Sequence, residues 1–123
     1  MKKILTFNLS ASAASAVKRA AAVNKLRVTA VDGSLYATAL RDISGNAEGS
    51  YGGELPQQSM IIMCGLPGGA TNSVLTLLKK SGADITYKAV LTDTNAGWTP
   101  LEMFAEMERE RLAIEQAKML NNQ

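Results

Sequence analysis

The stretch that most constrains this chain is SMIIMCGL, Ser59 to Leu66, which is apolar from Met60 onward without a polar interruption. It does not alternate, so as a strand it must meet apolar layers on both of its faces. It is also far shorter than the ~20 apolar residues that span a bilayer. A chain of 123 residues is long enough to bury such a strand in one core without disulfides or metal. Its apolar fraction of 46% and charged fraction of 20% are those of a soluble globular protein. A single domain over residues 1–123, with a sheet covered on both sides, is the expectation.

The rest of the chain supplies the elements. Lys3 to Leu9 reads as a first strand, with Ser10 or Ser12 placed to cap an Ala-rich helix from Ala11 to Leu26. Arg27 to Val31 is a short second strand closed by Asp32-Gly33, and Ser34 to Ile43 reads as a short helix ended by Gly45. Asn46 to Gly53 is loop chemistry. After the apolar strand, PGGATN turns into a helix from about Thr71 to Ser81, with Gly82 at its C-terminal end. Ile85 to Leu91 alternates as an edge strand with Lys88 and Val90 on one face. The last helix has a fully specified start: Thr99 and Glu102 form a capping box, Pro100 occupies the first helical position, and Trp98 is placed to staple onto Met103. Glu106–Arg109, Glu108–Arg111 and Glu115–Lys118 are spaced as surface pairs along it.

This order predicts an α/β fold with a small four-stranded sheet (β-α-β-α-β-α-β-α), parallel, in the order 2-1-3-4. A ferredoxin-like α+β sheet (βαββαβ) with an extra C-terminal helix is the alternative. The long link from Asp32 to Ser59 favours the parallel arrangement, because it is read as carrying the helix that a parallel crossover needs.

Several chemistries are absent. The chain has no His, which removes the usual general base, the commonest zinc ligand and every nucleophile paired with His. Cys64 is the single cysteine, so no internal disulfide forms and no oxidising compartment is required. The N-terminal ILTFNL is interrupted by Thr6 and Asn8, unlike the continuous apolar core of a secretory signal, and a cytoplasmic location is expected. The net charge of +2 is unevenly spread. Six basic and no acidic residues precede Asp32, whereas Glu102, Glu106, Glu108, Glu110 and Glu115 crowd the last helix. The bases are dispersed without interleaved aromatics, so nucleic acid is not the expected partner.

If the sheet is parallel, ligands gather outside the carboxyl ends of its strands. Those ends present Asn8, Asp32, Cys64-Gly65 and the Thr92-Asp93-Thr94-Asn95 loop. Thr99, Pro100, Glu102 and Trp98 are accounted for by helix initiation, whereas Lys88, Asp93 and Asn95 are not. The candidate ligand-binding set is therefore Lys88, Thr92, Asp93, Thr94, Asn95, Trp98, Cys64 and Gly65, holding a small polar ligand against an aromatic wall. Cys64 is more simply read as a core thiol. The Gly-rich turn CGLPGGATN lacks the Lys-Ser/Thr of a nucleotide loop, and Ala70 stands where a cysteine phosphatase has Arg, so it reads as an ordinary turn. No catalytic or metal-ligating set is identified, and no cofactor is named.

Two segments, GGELPQQSMIIMCGL and YKAVLTDTNAGWTPLEMFAEMERE, resemble a family of short bacterial proteins known as domain of unknown function family 3783. The pattern runs through Glu54-Leu55-Pro56, Met60 to Gly65, Val74 to Leu78, Lys88 to Thr92, Thr94-Asn95, Trp98-Thr99 and Glu102 to Glu110. It is strongest over residues 53–110. The resemblance implies a stand-alone cytoplasmic bacterial protein and supplies no activity. A non-catalytic small-molecule or regulatory binding module is the first functional expectation. The second is a protein–protein interaction or homo-oligomerisation domain, a homodimer included, built on the C-terminal helix. An enzyme is the least favoured.

Overall fold

A computed structural model describes residues 2–121. Four strands, β1 (Lys3–Phe7), β2 (Arg27–Ala30), β3 (Met60–Cys64) and β4 (Tyr87–Val90), form one sheet in the order β2-β1-β3-β4. The three helices are α1 (Ala11–Val23), α2 (Ala70–Ser81) and α3 (Pro100–Asn121). Each half of the sheet is a strand–helix–strand unit. β1 pairs with β2 in parallel, Lys3 beside Arg27, and β3 pairs with β4 in parallel, Met60 beside Tyr87.

The expected strand order is present, but the sheet is not parallel throughout. β1 and β3 run antiparallel, with Lys3 opposite Cys64 and Phe7 opposite Met60. The reason lies in the link between the halves. The helix expected from Ser34 to Ile43 is two separate 3-10 turns, Gly33–Leu35 and Leu40–Asp42. Two tertiary hydrogen bonds take its place. Leu40 N–H donates to Trp98 O at 2.8 Å, and Tyr36 O accepts from Leu101 N–H at 3.3 Å. These are the donor and acceptor that would have closed a helical turn on each other. Asp32, rather than Ser34, caps the first turn by accepting the Ser34 N–H at 3.0 Å. Without a helical rod to carry the chain back, β3 starts at the end where β2 stops and runs the other way. The ferredoxin-like alternative, with helices on one face only, does not describe this sheet.

Both faces are covered, as the unbroken apolar run of β3 requires. Ile4, Ile61 and Met63 face α1 and α2, meeting Ala13, Val17, Ala20, Val74 and Leu78. The small Ala face of α1 lets the two helices lie close, and Asn24 joins them by donating to Ser73 Oγ at 3.0 Å. On the opposite face, Leu5, Phe7, Met60 and Ile62 pack against Leu35, Tyr36, Leu40 and Ile43 of the link and Met103 and Phe104 of α3. Phe104 is the centre of this layer. Its ring lies 5.8 Å from Phe7, 5.9 Å from Tyr36 and 6.2 Å from Tyr87, centre to centre.

The helix ends follow local chemistry. Ser10 accepts from Ala13 N–H at 3.2 Å to start α1, which ends at Val23 because Lys25 takes a left-handed conformation, three residues short of the expected Leu26. Gly82, with φ 73°, closes α2 as expected. At the start of α3 the capping box is formed: Thr99 N–H donates to Glu102 Oε1 at 3.1 Å, and Glu102 N–H to Thr99 Oγ1 at 3.2 Å.

Candidate functional site

The antiparallel seam divides the strand ends between two poles of the sheet. Asn8 and Asp32 lie at the pole where β1 and β2 finish, while Cys64-Gly65 and Thr92 to Asn95 lie at the opposite one. The single polar rim expected from an all-parallel sheet is therefore not one site. Asn8 serves the fold at its own pole, donating to Pro56 O at 2.7 Å and Gln58 O at 3.0 Å.

Of the eight candidates, Lys88, Asn95 and Trp98 come together. They line a cleft of about 280 Å³ between β4 and α3, with Val90, Met103, Met107, Glu106 and Glu110. Lys88 borders it along the open edge of β4, because Tyr87 and Leu91 donate their N–H groups inward, to Ser59 and Met63, while its ammonium donates to Ile85 O at 3.4 Å and lines a separate cleft against α2. The alternate residues Lys88 and Val90 then turn their backbone groups to the open edge. Trp98 is carried there by the capping-box turn. A second shallow cleft of about 280 Å³ adjoins it, sharing Lys88, Met107 and Glu110 and extending to Arg111 and Ile114.

Asn95 is committed to its own loop. Its Oδ1 accepts from Thr92 N–H at 2.8 Å, its Nδ2 donates to Val90 O at 3.1 Å, and its N–H donates to Thr92 Oγ1 at 3.2 Å. That side chain stops β4 and blunts the upper end of its edge. Thr92, Asp93 and Thr94 are exposed and outside the cleft lining. Cys64 is buried in the core layer, and its thiol donates to Ile62 O at 3.7 Å. Burial pushes that thiol up from its ordinary value, against the opposing pull of the Lys3 charge. Gly65 follows it with φ 63° and makes the turn out of β3.

Glu110 lies three residues beyond Met107 and seven beyond Met103, so it lines the cleft from the same side of the helix while remaining exposed. One turn away, Glu108 accepts from the Tyr87 hydroxyl and from Arg111. The Arg111 guanidinium first, and the Tyr87 hydroxyl second, hold its carboxyl below the usual carboxylate range. Glu115 pairs with Arg111 at 2.7 Å, not with Lys118 as its spacing suggested.

Every residue from Arg109 to Asn121 is exposed, including Leu112 (45%), Ile114 (58%), Met119 (66%) and Leu120 (71%). No helix among the described residues is long and apolar enough to cross a membrane.

Residues 59–114 match a family model described as Domain of unknown function (DUF3783). That segment comprises β3, α2, β4 and the first two-thirds of α3, so it contains the whole cleft beneath α3. Neither the curated proteins nor the solved structures give a match.

Proposed function

We propose that this chain, carrying a segment that matches DUF3783, is a self-associating interaction module in which α3 packs against a second copy. The supporting observation is the outer half of α3. An isolated helix of that length is marginal in water, because helical stability in proteins comes mostly from packing an apolar face. Here the apolar residues Leu112, Ile114, Met119 and Leu120 lie on more than one side of the helix, which suits a segment enclosed by neighbours. The area points to the occupant. The chain exposes 7502 Å², against about 6400 Å² for a compact chain of 13.1 kDa. The excess of about 1100 Å² exceeds the ~800 Å² that each partner gives to a standard-sized interface. A second copy brings the same helix and the same cleft, with no further component required.

Sedimentation velocity over a range of concentrations tests this. A dimer is expected, and Leu112→Ser with Leu120→Ser returns it to monomer without loss of helix around Phe104. Charge reversal at Glu106 and Glu110 weakens it. A wild-type protein that stays monomeric at high concentration defeats the proposal.

A second reading rests on the convergence of Lys88, Asn95 and Trp98 in one cleft. There a small polar ligand is held between the carboxylates of Glu106 and Glu110, the open backbone edge at Lys88 and the indole wall, which makes the module a regulatory binder. Trp98 fluorescence is its test, since a ligand in that cleft must change the indole's surroundings. For both readings we place the protein in the cytoplasm, on the strength of one unpaired thiol.

A further inference from the structure

A cavity of about 490 Å³ lies away from α3. Its floor is Lys3, Arg27, Val28 and Thr29, and its rim is Ser44, Gly45 and Asn46. Lys3 and Arg27 are register partners on the parallel strands β1 and β2. Their side chains therefore leave the same face of the sheet with backbones about 5 Å apart. Like charges so placed repel.

Lys3 is only 9% exposed, and its ammonium donates to Ile43 O at 2.5 Å. That carbonyl satisfies one of three donors and brings no opposing charge. Among the described residues every ion pair lies within α3, and no carboxylate lines the cavity. Beyond Ile43 the chain swings outward. The backbone N–H groups of Ser44, Gly45 and Asn46 donate to no other described residue. Burying an ammonium beside a guanidinium without a counter-charge is costly, and an anion in the cavity offsets that cost.

We infer that this cavity is a binding site for the phosphoryl group of a small phosphate monoester. The Arg27 fork takes two phosphate oxygens, Lys3 acts as the fixed buried charge, and the Ser44–Asn46 rim donates from above. The volume lies in the range of small-molecule sites and leaves room for the ester's substituent. A nucleic-acid strand fits less well, because the two cations sit in a recess and no aromatic side chain lines it. The site shares no residue with α3 and stands independently of self-association.

The test is a phosphorus NMR titration of inorganic phosphate and methyl phosphate, with ionic strength held constant by chloride. Saturable binding is expected for the wild type and for Lys79→Gln, whose cation lines a different cleft. Arg27→Gln, at an exposed position, and Lys3→Met, which keeps the aliphatic stem, bind about tenfold or more weakly, as loss of a charge-assisted hydrogen bond implies. Arg27→Gln decides the matter should Lys3→Met unfold the link. Absence of saturable binding overturns the inference, as does equal affinity in Arg27→Gln. Binding of an RNA oligonucleotide without binding of methyl phosphate overturns it too.

Discussion

Phe104→Ala probes whether the first turns of α3 hold the second layer onto the sheet. Phe104 is 4% exposed and stands within about 6 Å, ring centre to ring centre, of Phe7, Tyr36 and Tyr87. Truncating a buried Phe costs about 3–5 kcal/mol, the sum of lost transfer energy and the cavity left behind. The upper half of that range is expected, because three aromatic contacts are lost at once. Against a total stability of about 5–15 kcal/mol, this is a large fraction. At about 2.1 cal/mol/K of unfolding entropy per residue, a chain of 123 residues loses about 4 °C of melting temperature per kcal/mol. The expected fall is therefore on the order of 15 °C. Urea unfolding gives the free energy, and thermal melting followed at Trp98 gives the shift. The internal contrast is Leu120→Ala in the same helix, which changes the stability of the dilute monomer by less than about 0.5 kcal/mol. A cost below about 1.5 kcal/mol for Phe104→Ala refutes the picture of Phe104 as the pin of this layer.

Two further outcomes follow from the site. Asn95→Ala removes both side-chain bonds of the Thr92–Asn95 loop and is expected to cost about 1–3 kcal/mol in urea unfolding. Asn95→Asp, which keeps the acceptor for Thr92 N–H, costs less, and equal costs for the two contradict the assigned roles. Glu108 titrates lower in the folded chain than in the unfolded one, so its contribution is fully present above the ordinary carboxylate value and is lost as pH falls through the folded one. Carboxyl NMR is expected to show that acid-side titration, moved upward by Arg111→Gln, and no movement disproves the Arg111 pairing.

Much of the fold was legible because local chemistry and tertiary context agreed. The unbroken run Met60–Cys64 dictated a doubly covered strand, and it is buried at all five positions. The capping box at Thr99 and Glu102 and the left-handed Gly82 are local devices that need no distant partner. What sequence did not disclose depends on distant partners. The helix read into Ser34–Ile43 fails because residues 36 and 40 give their hydrogen bonds to residues 101 and 98. No local pattern in ATALRD reports that exchange, and with it went the direction of β3. At the site, Lys88 and Asp93 were recognisable as residues without a structural account, whereas Trp98 was already assigned to helix initiation. Asn95 was not separable from them, since its partners, a strand-end carbonyl and a loop N–H, become visible only once the turn is built. Lys3 and Arg27 were visible only as members of a dispersed basic set, because their adjacency comes from strand register.

The seam between β1 and β3 sets a lower limit on what can be made as a separate polypeptide. The segment matching DUF3783 begins at Ser59, one residue before β3. Cut there, β3 keeps β4 on one side but loses its five-residue partner Lys3–Phe7 on the other. A flat apolar strand would then present a row of unsatisfied amides to solvent, a template for aggregation. It would also lose Tyr36 and Leu40, which brace the start of α3. The sequence-family boundary therefore falls inside a cooperative folding unit, and a fragment of residues 59–114 is expected to be insoluble unless residues 2–58 are co-expressed to complete the sheet.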